Sequence, residues 1–136
     1  AGGMLIGITR GTTKAHIIRA VLESLAYQTK DVCDVIHKLI KPTVCLQVDG
    51  GASQNDFLMQ FQADILGMSV KKYTITETTA YGVAGVAGIA TNLFTEKQFR
   101  SFFKLDKNFK PRMRSIDSKN YYSKWVNAIH RSLTWH

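Results

Sequence analysis

The chain has 136 residues, enough for a real core but for no more than one domain. Its hydrophobic fraction of 45% and charged fraction of 21% are those of a globular protein, and its apolar runs are too short to span a bilayer. The formal charge of +8 raises nucleic acid as a partner, but no nucleic-acid fold signature accompanies the basic residues, and a solvated basic face is the expectation instead.

The opening Ala1-Gly2-Gly3-Met4-Leu5-Ile6-Gly7-Ile8 is apolar, yet it has no basic leader and no clear cleavage site, so it does not read as a signal peptide. The absence of Met at position 1 suggests a fragment. A long helix is expected from Thr12 or Thr13, either of which suits a cap, to near Leu39, where Lys41-Pro42 ends it. Ile18, Val21, Leu22, Leu25, Val32, Val35 and Ile36 give it a wide apolar face. Thr43 to Val48 then reads as a buried strand, and Phe57, Leu58, Phe61, Ile65 and Leu66 recur at helical spacing in a helix from about Gln54 to Leu66 stopped by Gly67.

Between that strand and that helix lies the most informative stretch, Asp49-Gly50-Gly51-Ala52-Ser53-Gln54-Asn55. Gly50 and Gly51 let backbone approach a ligand that a Cβ would block, and the start of the following helix favours an anion. The same turn also suits an ordinary strand-to-helix connection capped by Ser53. It matches neither the P-loop nor the dinucleotide fingerprint.

Met68 to Tyr73 is expected as a second short strand, followed by a small-residue helix from Thr78 to Ala90 carrying Gly82, Gly85 and Gly88. Each glycine costs such a helix roughly 1 kcal/mol relative to Ala, so close packing on the sheet or approach to a ligand is the expected reason for them. Strand, helix, strand, helix implies a right-handed βαβ unit with parallel strands. Two strands do not make a doubly covered sheet, so the first and the glycine-rich helices are expected to cover strands from outside this chain.

In the basic, aromatic tail Tyr122, Trp125, Ile129 and Leu133 fall on one helical stripe, which predicts packing and a largely buried Trp125. Cys33 and Cys45 lack metal-ligand spacing and read as reduced core thiols of a cytoplasmic protein. His16 is expected to pack or cap, Glu23 to be a buried hydrogen-bonding acid and Asp64 a surface charge. His37, His130 and His136 have no ligand-like spacing.

Several of these segments carry a family resemblance. Gly3-Met4-Leu5-Ile6-Gly7-Ile8, followed after an interval by His16-Ile17-Ile18-Arg19-Ala20-Val21-Leu22-Glu23, resembles the second signature of the FGGY carbohydrate kinases. Thr9-Arg10-Gly11-Thr12-Thr13, Glu23 to Gln28, Val48-Asp49-Gly50-Gly51, Leu58 to Gly67 and Glu77-Thr78-Thr79-Ala80-Tyr81-Gly82 resemble the members that phosphorylate glycerol rather than the pentulose kinases. The resemblance is dense from residue 2 to about 91 and looser in the tail, where it rests on length and on Tyr122, Trp125 and Trp135.

The resemblance implies an α/β fold: the C-terminal part of an actin-like, ribonuclease-H-like ATPase domain with a parallel βαβ core and covering helices. Residues 1–94 would be the nucleotide-binding part and 95–136 a basic aromatic helical tail packed on it. It implies ATP and Mg²⁺ as cofactors and transfer of the γ-phosphoryl group to glycerol, giving sn-glycerol 3-phosphate. By position in the motif, Gly51 would contact the nucleotide through its backbone, Gly50 would shape the turn and Asn55 would meet the adenosine part. Asp49 would act through Mg²⁺-bound water, a loop-capping role being equally in keeping with its place. The glycerol site, the first phosphate turn and the general base belong, in the family, to an N-terminal domain upstream of Ala1. No catalytic residue is therefore expected in this chain, which should be inactive alone and form part of a homo-oligomer with that domain. Two other readings stand beside it: a noncatalytic interaction domain of actin-like fold, and a kinase for another polyol or sugar.

Overall fold

The computed structural model describes residues 3–41 and 43–133. Ala1 and Gly2, Pro42 with its expected role in ending the first helix, and Trp135 and His136 lie outside the described residues. The first long element, α1 (Lys14–Leu39), begins at Thr13, whose hydroxyl accepts from the His16 amide while the His16 ring nitrogen accepts from the Thr13 amide. This reciprocal cap settles the choice between the two threonines and gives His16 its capping role. Thr12 instead accepts from the Thr9 amide, 2.9 Å away, and closes the preceding turn.

Three strands form one sheet in the order β1 (Cys45–Val48), β2 (Ser69–Tyr73), β3 (Leu105–Phe109). β1 and β2 run parallel with Leu46 opposite Val70 and Val48 opposite Lys72, as the βαβ pattern predicts. β3 is antiparallel to β2, Phe109 facing Val70, and corrects two expectations at once: the sheet has a third strand, and the tail is not wholly helical. Leu-Asp-Lys-Asn-Phe carries one apolar residue at each end and lies mostly exposed at the sheet edge, where charged residues discourage further pairing. Such a strand leaves no alternating pattern to find.

Leu46, Val48, Val70 and Phe109 all pack against the core, which α2 (Asp56–Leu66) builds from Leu58, Met59, Phe61, Ala63 and Ile65. This helix ends at Gly67 in the left-handed region, φ 67°, as expected. Its start differs. Residues Gly51–Gln54 form a separate 3₁₀ turn, and the cap is Asn55, whose Oδ1 accepts from the Leu58 amide at 3.0 Å. Ser53 is not the cap; its hydroxyl turns back to donate to the Gly50 carbonyl. Both residues are good caps by type, and the extra 3₁₀ turn decides between them.

α1 lies on α2 rather than on a strand and buries only Ala26 and Tyr27, leaving Ile18, Val21, Leu25, Val32, Val35 and Ile36 exposed. α5 (Ser115–Ser132) joins this pair through one polar-aromatic seam. Asp31 of α1 accepts from the Tyr122 hydroxyl at 2.6 Å and from Trp125 Nε1 at 2.8 Å. Tyr27 stacks on Trp125 at 5.4 Å and meets Phe61 edge-on at 5.6 Å. Trp125 is partly buried and packs against the core, in keeping with the stripe, whereas Ile129 and Leu133 of the same stripe are exposed.

Asp64 is not a free surface charge. Its Oδ1 accepts from the backbone amides of Arg112 (2.6 Å) and Met113 (3.2 Å), pinning the connection from β3 to α5 onto α2. Glu23 is half-buried and paired with Arg19 at 2.6 Å. Cys33 and Cys45 are unpaired and half-buried, and burial pushes the Cys33 thiol upward.

The small-residue helix α3 (Thr78–Ala90) has the expected bounds and different neighbours. A Cβ on Gly85 would enter the Phe99 ring and one on Gly88 the Phe94 ring, so these glycines seat aromatic side chains from the stretch around α4 (Glu96–Ser101), not the sheet. No α4 was anticipated, although Thr95 and Gln98 make a full capping box for it.

Candidate functional site

Parallel strands send their carboxyl ends to the same edge of a sheet, and the connections leaving that edge make the crevice where α/β folds take ligands. Here those connections are the glycine turn after β1 and residues 74–77 after β2. They are tied together. The Gly50 amide donates to the Thr76 carbonyl at 3.0 Å, and the Thr78 hydroxyl, at the start of α3, donates to the Asp49 carboxylate. Asp49 is exposed and stands at the head of α3. Its carboxylate thus links the glycine turn to that helix, and the residue is open to solvent.

Within the turn, Gly50 has φ 75°, a conformation in which a side chain is strained. Its carbonyl accepts twice from Ser53, from Oγ at 2.7 Å and from the amide at 3.2 Å. Ser53, 1% exposed, is thus the turn's internal support. Gly51 has no such backbone requirement. Among the described residues a Cβ built there meets nothing within 4 Å, so they give no reason for glycine. The amides of Gly51 and Ala52 open the 3₁₀ turn and have no acceptor within it.

Asn55 is exposed at the far end of the turn. Its Oδ1 is committed to capping α2, which leaves its amide NH₂, unbonded among the described residues, as the group able to meet a ligand. Next to it, Lys107 holds the Asp56 carboxyl below the usual carboxylate range by a hydrogen bond. The first amides of α3, on Thr78, Thr79 and Ala80, precede the first intrahelical acceptor bond, made by Tyr81, and face the same edge. One turn further, Gly82 lies on the face of α3 that carries Thr78, with open space where its Cβ would be.

The structure thus brings together Asp49, Gly50, Gly51 and Asn55 and adds Thr76, Thr78 and Gly82, which sequence reading did not single out as site residues. The signal for Thr78 was present: a hydroxyl residue at the head of a helix that follows the parallel neighbour of the glycine-turn strand. His16 and His37 stand apart, His37 bonding Thr43 at 3.0 Å.

Among the described residues no three His, Cys, Asp or Glu side chains converge as a metal site. For Mg²⁺, which keeps several waters and uses one or two carboxylates with substrate phosphates, the fitting group is Asp49 alone. The site is an open shelf. Recesses among the described residues lie along α5 and between α5 and α1, the latter lined by residues such as Asp31, His37 and Tyr122.

A family model described as the FGGY family of carbohydrate kinases, C-terminal domain, matches residues 1–91. The chain is 52% identical to glycerol kinase 2 of Thermotoga maritima over 99% of its own length and 28% of that protein's. It is 50% identical to the glycerol kinase of Pseudothermotoga lettingae over the same shares. The chain therefore spans 28% of the length of these relatives. Among solved structures it resembles Plasmodium falciparum glycerol kinase with ADP, with a TM-score of 0.82 and 28% identity over 96% of this chain and 26% of that one. Xylulose kinase from Rhodospirillum rubrum, at 20% identity and a TM-score of 0.79 over 98% of this chain and 28% of that one, shares the fold. The α/β class expected above, actin-like and ribonuclease-H-like, is that of these kinases.

Proposed function

The chain belongs to the FGGY family of carbohydrate kinases, and we propose that it forms the adenine-nucleotide side of the cleft in a cytoplasmic glycerol kinase. The observation that carries this is the glycine turn at the carboxyl edge of β1 and β2, bonded to the head of α3 and holding at Gly51 a Cβ direction that the fold leaves empty. In this reading Gly51 lies against the nucleotide, its amide and that of Ala52 donating to it, while the Asn55 NH₂ meets the adenosine part. Gly50 sets the turn's path. Asp49 would hold a water of the Mg²⁺ that accompanies ATP, an ion that would supply charge neutralisation at the phosphates. Residues 1–94 would carry this half-site and 95–136 would form the tail, the pairing of β3 with β2 and the Phe94–Phe99 stack supporting that division.

The reaction would move the γ-phosphoryl group from ATP to a glycerol hydroxyl oxygen, ADP leaving and the hydroxyl proton passing to a base. That base and the glycerol pocket come from the N-terminal domain of the same enzyme, which assembles as a homo-oligomer. Phosphoryl transfer depends on charge stabilisation from both walls of the cleft, so this wall alone binds weakly and turns nothing over.

Amide exchange of the complete protein with and without ADP tests the site. Residues 50–55 and 76–80 should slow on ADP addition while 115–132 stay unchanged. Unchanged exchange in the turn at saturating ADP overturns the assignment. Comparing kcat/KM for glycerol with that for a pentulose tests the substrate.

A further inference from the structure

Lys72 is a buried cation under the glycine turn. It follows Val70 on the covered face of β2, and its side chain is 6% exposed. Its Nζ lies 3.1 Å from Asp106 Oδ2 on β3, 3.5 Å from Gln54 Oε1 at the end of the 3₁₀ turn, and 4.0 Å from Asp56 Oδ1 at the first residue of α2. An apolar side chain would fill this position without the desolvation that an ammonium suffers there. What the ammonium adds is direction: one atom reaches the sheet edge, the last residue of the turn and the first residue of the helix. Asn55 stands between the two residues it reaches on that side, and the Asn55 amide already has one end fixed by Leu58.

We propose that Lys72 is a positioning residue for the nucleotide, fixing Gln54 and Asp56 so that the Asn55 NH₂ is aimed along the shelf. This rests on the reading that the glycine turn holds the nucleotide. Lys107, half-exposed and bonded to Asp56 from the solvent side, steadies the helix head but does not reach the turn.

Steady-state kinetics of the complete protein with Lys72→Met, Lys72→Arg and Gly51→Val tests both levels. Lys72→Met should raise KM for ATP by roughly three- to tenfold, the worth of one misplaced hydrogen bond, with kcat and KM for glycerol near the parent values. Lys72→Arg, which keeps the charge and the reach, should restore most of it. A parent-like KM for ATP in Lys72→Met, or a loss confined to kcat, overturns the proposal. Gly51→Val separates the two failures. If it too binds ATP like the parent, the nucleotide reading falls; if it blocks ATP while Lys72→Met does not weaken it, only the role of Lys72 falls. Should Lys72→Met fail to fold, Gln54→Ala takes its place, severing the link to the turn while leaving the ion pair with Asp106. A raised KM for ATP in that variant supports the proposal and an unchanged one overturns it.

Discussion

Glycine does opposite work in the two glycine-rich regions of this chain. In α3, Gly85 and Gly88 are glycine because the inside of the fold is full: the rings of Phe99 and Phe94 occupy the space a Cβ would need. In the turn, Gly51 is glycine although the fold leaves its Cβ direction empty. A helix packing glycine is explained by its neighbours. A glycine facing open space, without a positive φ, has no such neighbour to explain it, and the proposed nucleotide contact would supply the reason at Gly51.

The sharpest way to break this contrast is Gly51→Val. It should leave the melting temperature within about a degree of the parent, since an exposed substitution without strain changes stability little. ATP affinity should fall by roughly 100-fold or more, about 2.7 kcal/mol, because the side chain takes the nucleotide's place, while glycerol affinity stays the same. Isothermal titration with each ligand decides it. Parent-like ATP binding in the folded variant would make the turn only a strand-to-helix connection.

Gly85→Val should do the reverse. Its added methyls meet the Phe99 ring, which is itself stacked on Tyr81 at 4.3 Å and on Phe94 at 5.6 Å, so the ring has little room to yield. Overpacking of this kind costs about 1–3 kcal/mol, read as a lower unfolding midpoint with ATP affinity of the folded protein unchanged. Combining it with Phe99→Ala should recover part of the loss, since the two changes are coupled through one contact. Strictly additive losses would show that the ring is not what holds Gly85.

Much of this was legible in the sequence, for identifiable reasons. α1 and the end of α2 announce themselves through apolar spacing and through Thr13 and Gly67, whose chemistry is local. The bounds of α3 follow from its run of small residues. What Gly85 and Gly88 pack against was not legible, because the rings belong to a later segment and spacing says nothing of which aromatic returns to which helix. β3 was hidden for a similar reason: its residues are mostly polar, and pairing with β2, not its own pattern, makes it a strand. Asp64 looked like a surface charge until the β3–α5 connection brought the Arg112 and Met113 amides to it. For the site, Asp49, Gly50, Gly51 and Asn55 stood in one stretch and were readable together. Thr78 and Lys72 reach the turn only through the sheet.

Asn55 sharpens the comparison at a smaller scale because one side chain serves both fold and shelf. Asn55→Asp keeps an oxygen to cap α2 and removes the NH₂ donor, so stability should hold while ATP affinity drops several-fold, for a hydrogen bond worth about 0.5–1.5 kcal/mol. Asn55→Ala removes both and should add a loss of about 1 kcal/mol in stability. An equal loss of stability in the two variants would show that the cap is not what Asn55 supplies.

Gly82 gives the smallest effect and joins the two regions. It belongs to the glycine helix by sequence, yet among the described residues nothing beyond its own helix turn comes within 4 Å of where its Cβ would be, and it lies one turn beyond Thr78 on the same face of α3. Replacing a helical glycine by alanine removes backbone freedom from the unfolded chain, so Gly82→Ala should raise stability by about 0.5–1 kcal/mol, a gain of a few degrees or less. If its emptiness is the same kind as that at Gly51, the added methyl should at the same time weaken ATP about twofold to threefold, within the smallest losses a single contact produces. Thermal unfolding and ATP titration on the one variant separate the cases. Opposite movement of the two places Gly82 with the turn; a stability gain with unchanged ATP affinity confines the ligand-facing glycines to the turn; a loss of stability shows that a packing partner outside these contacts fills the space.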